Sequence, residues 1–427
     1  MALRSTEPDR LGRGSDAPSL ILLRHARIVD GSGPEPGPEC DVLIEDGRIR
    51  EVADTALTAR SARVIDLGGR TLMPGLIDCH AHPCLTQMRI ASLEDIPVTL
   101  MTAQAAKVLE GMLGRGFTTI RDAGGSDWGL RAAVDQGWIA GPRLFISGRP
   151  LSQTGGHGDF RRRTDERQGC GCAEALGFVA RIADGVDQVR LAARDELRKG
   201  ADQLKVMVSG GVASPHDPLE SRQYCAEELR AIVEEASARG TYVMAHAYTG
   251  EAIRRALECG VRSIEHANLI DEDAARQAAA KQAFVVPTLV TYDALERLGA
   301  AAGLEPVMLE KLARVREAGL RAIEICKRAG VRLGFGTDLL GVAHGDQSRE
   351  FRLRSEVEPL HEVIASATRI NAEILGRDDL GVIRPGAVAD LIVVDGNPLA
   401  DVSLLESQGK HLTLIMKAGV IHKQQAA

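Results

Sequence analysis

The sequence predicts an α/β protein: a closed (β/α)8 barrel of the TIM type carrying a small β-sandwich built from both chain termini. Three observations lead there. Through the middle of the chain, short apolar runs alternate with helical patterns over eight units, which implies a parallel sheet closed into a barrel. Both ends share a different, hairpin-rich texture. Aromatic residues make up only 3% of the 427 residues, so burial falls to Ala, Leu, Val and Ile, which fill the interior layers of such barrels. The predicted boundaries are a flexible segment over 1–20, a sandwich from 21–72 with 379–427, and a barrel over 73–378.

The elements follow in order. Met1 to Leu20 is polar with Gly and Pro and lacks the apolar core of a secretory signal. Ile21 to Val29 reads as a strand, Asp41 to Val52 as a hairpin turning at Asp46-Gly47, and Arg63 to Ile65 as a short strand. Asp390–Asp395 and Leu412–His422, turning near Ala418-Gly419, return to this texture at the other end. Between them, the run from Leu72 opens the barrel. A helical pattern near Pro97–Arg115 leads to the strand Thr118–Asp122, and Arg143–Ser147 precedes a glycine-rich loop, Gln153–Asp159. A helix near Val186–Lys199 leads to Gln203–Val208. The pattern Ala226–Ala238, closed by Gly240, leads to Tyr242–His246, and Glu251–Glu258, closed by Gly260, to Arg262–His266. Ala283–Leu289 is followed by one long helix ending at Gly330, and Arg332–Asp338 is the last strand, with no helical pattern after it.

Composition excludes several classes. A net charge of -7 and a pI near 5.9, with no basic stripe, argue against nucleic-acid binding. No apolar run reaches membrane-spanning length. The eight cysteines are scattered, and the one tight pair, Cys170-Gly-Cys172, has no second pair to complete a four-thiolate zinc site. A reduced, cytoplasmic protein is expected.

The chemistry gathers at strand ends. Leu72-Met-Pro-Gly-Leu-Ile-Asp-Cys-His-Ala-His82 is an apolar run ending in a carboxylate and two histidines. On a strand, His80 and His82 face one side, here the interior at the C-terminal mouth, where two imidazoles suit a divalent ion such as zinc. The plainer reading is two polar residues at a strand end. Lys205, His246, His266 and Asp338 fall at the ends of later strands. Taken singly, each histidine could be a hydrogen-bonded core residue and Asp338 a turn cap. Lys205 sits between Leu204 and Val206 in a strand buried on both faces, where an unpaired ammonium costs several kcal/mol or loses its proton. A neutral lysine can add carbon dioxide to give a carbamate able to bridge two metal ions. The alternative is a snorkelling lysine.

The set His80/His82, Lys205, His246, His266 and Asp338 resembles the amidohydrolase superfamily of metal-dependent hydrolases, as do Pro74-Gly-Leu-Ile-Asp78 and Gly334-Phe-Gly-Thr-Asp338. The resemblance spans essentially the whole chain and implies a binuclear centre of two divalent ions, zinc by choice of ligand. His80, His82 and Asp338 would hold one ion, His246 and His266 the other, with carboxylated Lys205 and a hydroxide between them. Asp338 would shuttle the proton. Thr154-Gly-Gly-His-Gly-Asp159, the run from Lys205 to Ser214, and His246-Ala-Tyr248 resemble the imidazolonepropionase-like, prolidase-like branch. That likeness implies cleavage of N-acyl amino acids or dipeptides, aromatic amides of the ochratoxin type included. It makes His157 and Tyr248 the groups that recognise the substrate's carboxylate or carbonyl, and implies a homo-oligomer.

Arg222 is a further candidate for a substrate carboxylate, with a solvated surface arginine as the plain alternative; the same choice holds for Arg161-Arg-Arg163. The competing activities are hydrolysis of cyclic amides, carbamates, ureas or lactones. A catalytically silent scaffold is disfavoured because none of the family's ligands is missing.

Overall fold

The structure, a computed structural model, describes residues 20–161, 180–299 and 303–425. Most of the predicted N-terminal segment, the Cys170/Cys172 pair and Arg162-Arg163 lie outside them. The barrel strands are Leu76–Ala81, Phe117–Asp122, Arg143–Phe145, Leu204–Met207, Val243–Thr249, Ser263–Leu269, Phe284–Val286 and Arg332–Leu333. Neighbours pair in parallel from the first to the third and from the fourth to the eighth. Between third and fourth the chain turns at Gly148 (φ 67°), Leu151–Ser152 comes to pair with the fourth strand, and the Asp202 amide donates to the Ile146 carbonyl at 2.7 Å.

The ring closes through residues beyond the short eighth strand. The Cys79 amide donates to Phe335 O at 2.8 Å, and the amides of Thr337 and Asp338 donate to His80 O at 3.1 and 2.7 Å. The seam of the barrel therefore runs through the residues that carry His80 and Asp338.

Two expectations are corrected. The long helix after the seventh strand is two helices, Leu289–Leu298 and Pro306–Ala329, because the chain reverses at Gly299 (φ 50°) and Pro306 can only begin a new helix. The last strand is also followed by helices, Arg349–Arg354 and a continuous helical run from Leu360 to Ile374, whose middle turn, Ser366–Ile370, is π-helical and shifts the spacing of the apolar residues.

Eight further strands form one mixed sheet from both termini. Its central link is Thr71–Pro74, antiparallel to Leu391–Val394, so the two ends of the chain are joined by a ladder of backbone hydrogen bonds. Both hairpins turn where the sequence places them, with consecutive left-handed residues at Asp46-Gly47 (φ 49° and 79°) and Ala418-Gly419 (φ 48° and 76°). Alternation sorts the faces: Leu391 and Val393 enter the sheet's own core with Leu23 and Val42, while Ile392 and Val394 pack on the barrel beside Met112 and Phe117.

Candidate active site

Strand register brings the histidines together at the mouth. His246 on the fifth strand pairs with Glu265 on the sixth, and Ala247 with His266. The rings of His80 and His266 lie 4.8 Å apart, and those of His246 and His266 4.7 Å. His266 (φ 74°), Ala267 (φ 56°) and Asp338 (φ 52°) all hold left-handed backbone that side chains rarely adopt, a concentration of strain usual at functional sites.

Each of three histidines has one nitrogen committed to the scaffold. His80 Nδ1 lies 2.8 Å from Glu265 Oε2, His82 Nδ1 2.8 Å from Gly124 O, and His266 Nδ1 2.8 Å from Thr288 Oγ1. Their Nε2 atoms are left for the mouth, where Asp338 Oδ1 stands 3.4 Å from His80 Nε2 and 3.1 Å from His82 Nε2. Metal-binding histidines are oriented in this way, the second nitrogen tied to a carboxylate or carbonyl. One ligand atom each from His80, His266 and Asp338 lies within 4.8 Å of the other two. This donor set, imidazole nitrogens with one carboxylate, fits a borderline-soft divalent ion.

His246 stands slightly apart. Its Nε2 is 3.1 Å from Gly210 O, and its ring stacks on His157 at 4.3 Å. A buried ring N–H takes the nearest acceptor, which here is a carbonyl of the loop after the fourth strand. Lys205 is 2% exposed, and among the described residues nothing hydrogen-bonds its ammonium. Burial lowers its pKa to about 8, against the opposing pull of Glu265 and Asp338.

Beneath the mouth lies an ion pair that the sequence reading did not single out. Arg121 and Glu265 are both fully buried; the guanidinium donates to Glu265 Oε1 and Oε2 at 2.9 and 3.1 Å, and Ser263 Oγ donates to Oε1 at 2.6 Å. Burial alone would raise the Glu265 carboxyl, but Arg121, then His80, outweigh it and hold it at about 2. Burial likewise opposes the charge on Asp338, and His80 and His82 overcome it, keeping that carboxyl well below its usual range. For His246 and His266 burial wins, and both are held well below the ordinary imidazole value. The reasoning that flagged Lys205, a charge inside an apolar strand, applies equally to Arg121.

His157 and Tyr248 both reach the site. The Tyr248 ring stacks over His266 at 5.4 Å, and its hydroxyl is 3.0 Å from that of Tyr292. Burial pushes the Tyr248 hydroxyl up, so it stays a proton donor. Arg222 does not reach it: its side chain is 62% exposed and pairs with Glu251 at 2.9 Å, the plain alternative weighed from sequence. Arg161 pairs with Asp159 at 2.6 Å on the rim.

The histidines, Lys205 and Asp338 line an inner pocket of about 80 Å³. It opens past Ile90, Phe160, Ala213, Leu295 and Leu340 into an outer cleft of about 910 Å³. The collar between the two is apolar, so the group beside a reacting bond would be desolvated there while a larger moiety stays in the cleft.

The model of the amidohydrolase family matches residues 71–421. Ochratoxinase from Aspergillus niger is 32% identical over 428 residues, covering 96% of this chain and 88% of that protein. A crystal structure of an amidohydrolase, 52% identical, superimposes with a TM-score of 0.93 over 96% of this chain and 100% of that one. A prolidase complexed with N-methylphosphonate-L-proline, 48% identical, does so with a TM-score of 0.93 over 95% of this chain and 100% of that one.

Proposed function

This chain belongs to the amidohydrolase family and is a hydrolase of carbon–nitrogen bonds, and on that premise we propose that it releases an amino acid from N-acyl amino acids or dipeptides at a centre of two divalent ions. The observation that carries the reading is the convergence of His80 and His82 Nε2 on Asp338, beside His266 and the buried amine of Lys205. The likeness to a prolidase and to ochratoxinase supports an amide whose leaving group is an amino acid.

We assign His80, His82, His246, His266 and Asp338 as ligands, with zinc as the ion. Lys205 would complete the set as a carbamate: its neutral amine adds to carbon dioxide, forming an N–C bond and releasing a proton. When bound, the ions supply an activated water and polarise the scissile carbonyl. The chain's own residues do the rest. Asp338, ionised, takes a proton at Oδ2 and returns it to the leaving amine. His157 and Tyr248 orient the carboxylate or carbonyl of the substrate from the side of His246 and His266. The apolar collar excludes water from the reacting bond, which strengthens each of these contacts. We place the enzyme in a reducing, cytoplasmic setting, in keeping with six unpaired cysteines among the described residues.

Amino-acid release from pooled N-acyl amino acids and dipeptides, by zinc-loaded and by chelated protein, tests the reading. Release that depends on metal is the expected result. Silence in every pool with two ions bound per chain would overturn it in favour of lactones, ureas or carbamates. Silence with no metal bound would leave a scaffold.

A further inference from the structure

The loop after the fourth strand forms a second buried polar network, which meets the ligand set only where the His157 ring stacks on His246. His157 Nδ1 lies 2.7 Å from Ser214 Oγ, and the Ser214 hydroxyl in turn contacts Asp217 Oδ1. Asp217 is 4% exposed and surrounded by donors: Oδ2 accepts from the Gly211 amide and from Gln223 Nε2, both at 3.1 Å, and the Lys311 ammonium stands 4.0 Å from Oδ1. Gln223 closes the circuit by accepting the His157 backbone amide at 2.8 Å. Lys311 Nζ donates to the carbonyls of Gly211, Ser214 and Asp217, the first two at 3.0 and 2.7 Å, clamping the loop from behind.

The hydroxyl of Ser214 carries one hydrogen. Its closest acceptor is Asp217 Oδ1; the Gly211 carbonyl is at 3.5 Å. With that hydrogen spent on Asp217, Ser214 Oγ can only accept from the ring, so His157 must carry its proton on Nδ1. We propose that Asp217, acting through Ser214, is the positioning residue that fixes the tautomer of His157 and presents Nε2 to the inner pocket. The neutral ring then offers the pocket a lone pair. It therefore accepts, and a substrate carboxylate or carbonyl reaches it through a water that donates to both. The arrangement parallels the way an aspartate orients a catalytic histidine elsewhere, with a serine inserted between them.

The polarity of this relay can be reversed without changing its shape. In Asp217→Asn, the Gly211 amide and Gln223 keep the oxygen of the new amide at the Oδ2 position, so its nitrogen faces Ser214 and donates to it. Ser214 must then give its hydrogen to His157 Nδ1, and the ring proton moves to Nε2. Long-range proton–nitrogen correlation spectra of zinc-loaded protein labelled with 15N-histidine read this directly, with His157→Gln identifying the signals. Expected are an Nδ1–H ring in the native protein, an Nε2–H ring in Asp217→Asn, and loss of the fixed preference in Ser214→Ala. A native Nε2–H ring, or an Asp217→Asn variant with unchanged signals, would overturn the proposal; should that variant not fold, Ser214→Ala alone decides by the same signals.

The kinetic arm rests on the amide-hydrolase reading. There Ser214→Ala should lower kcat/KM about tenfold in the native background and have no effect in His157→Ala, and Ser214→Thr should restore activity. Equal losses in both backgrounds would show a role independent of His157. Because the spectra need no substrate, absence of any amide hydrolysis would count against the function and leave the relay to be judged by its own signals.

Discussion

Gly211 lies flat against the imidazole of His157, so close that a Cβ on it would sit 2.0 Å from the ring's Cε1. His157 is thereby sandwiched between a backbone and the His246 ring, 4.3 Å away on a nearly parallel plane. Space, not backbone conformation, demands glycine there. Gly211→Ala should keep the fold, because the loop is held by Lys311 and Gln223, yet displace the ring. Displacements of about 1 Å cost on the order of 100-fold in rate, so kcat/KM is expected to fall by roughly that factor with metal content unchanged. An alanine variant with native kinetics would show that the His157 position is irrelevant to turnover.

Glu265 joins two structures that are otherwise distinct, the scaffold through Arg121 and the mouth through His80. Glu265→Gln keeps the shape and removes the charge, leaving a fully buried guanidinium without its opposite charge. Breaking one side of a buried ion pair costs about 3–5 kcal/mol, so a substantial loss in denaturant or thermal melts is expected. His80 also loses the carboxylate that orients it, and such partners carry about 10–100-fold in metal affinity. Glu265→Gln should therefore need more zinc for half-maximal activity; a normal zinc requirement with lowered stability would confine its role to the scaffold.

How much of this was legible in the sequence depended on range. His80, His82, Lys205, His246, His266 and Asp338 stood out because each breaks an apolar strand near its end, a local signal with period two. The hairpins at Asp46-Gly47 and Ala418-Gly419 were legible for a similar reason, since left-handed turns demand particular residues. The contacts that orient the histidines were not. Thr288, Gly124 and Glu265 lie 22, 42 and 185 residues from the rings they hold, and nothing in the local pattern links them. Arg222 misled because an arginine near a loop looks the same whether it faces a cleft or Glu251. The break at Gly299 was hidden by apolar residues on both sides that keep helical spacing.

Glu350 gives a stability effect of a different kind. It is fully buried, with Oε2 accepting the Val290 amide at 2.7 Å and Oε1 without a partner among the described residues. Burial raises its pKa from 4.5 to about 8, only partly offset by Arg354. The folded state thus holds a proton that the unfolded chain releases. Its contribution is fully present below pH 4.5 and is lost as pH rises through 8, a cost on the order of a few kcal/mol above that range. Glu350→Gln cannot ionise. Its stability relative to the native protein should rise steadily between about pH 4.5 and 8 in denaturant titrations at several pH values. A difference that stays constant across that window would mean Glu350 does not titrate there.

Asp338 decides between holding the ions and moving the proton. Its amide hydrogen-bonds His80 O at 2.7 Å and its Oδ1 faces two histidines, so its position is set by the barrel seam and should survive a change of charge. Asp338→Asn retains an oxygen for an ion but cannot accept and return a proton. Proton transfer by a placed side chain is worth about 100- to 10,000-fold, so kcat should fall by that order while metal analysis still finds bound ions. Chelating the native protein should remove activity too, but reversibly, with zinc restoring it. A variant that loses metal and turnover together would make Asp338 a ligand first, and one that keeps full turnover would remove it from the proton path.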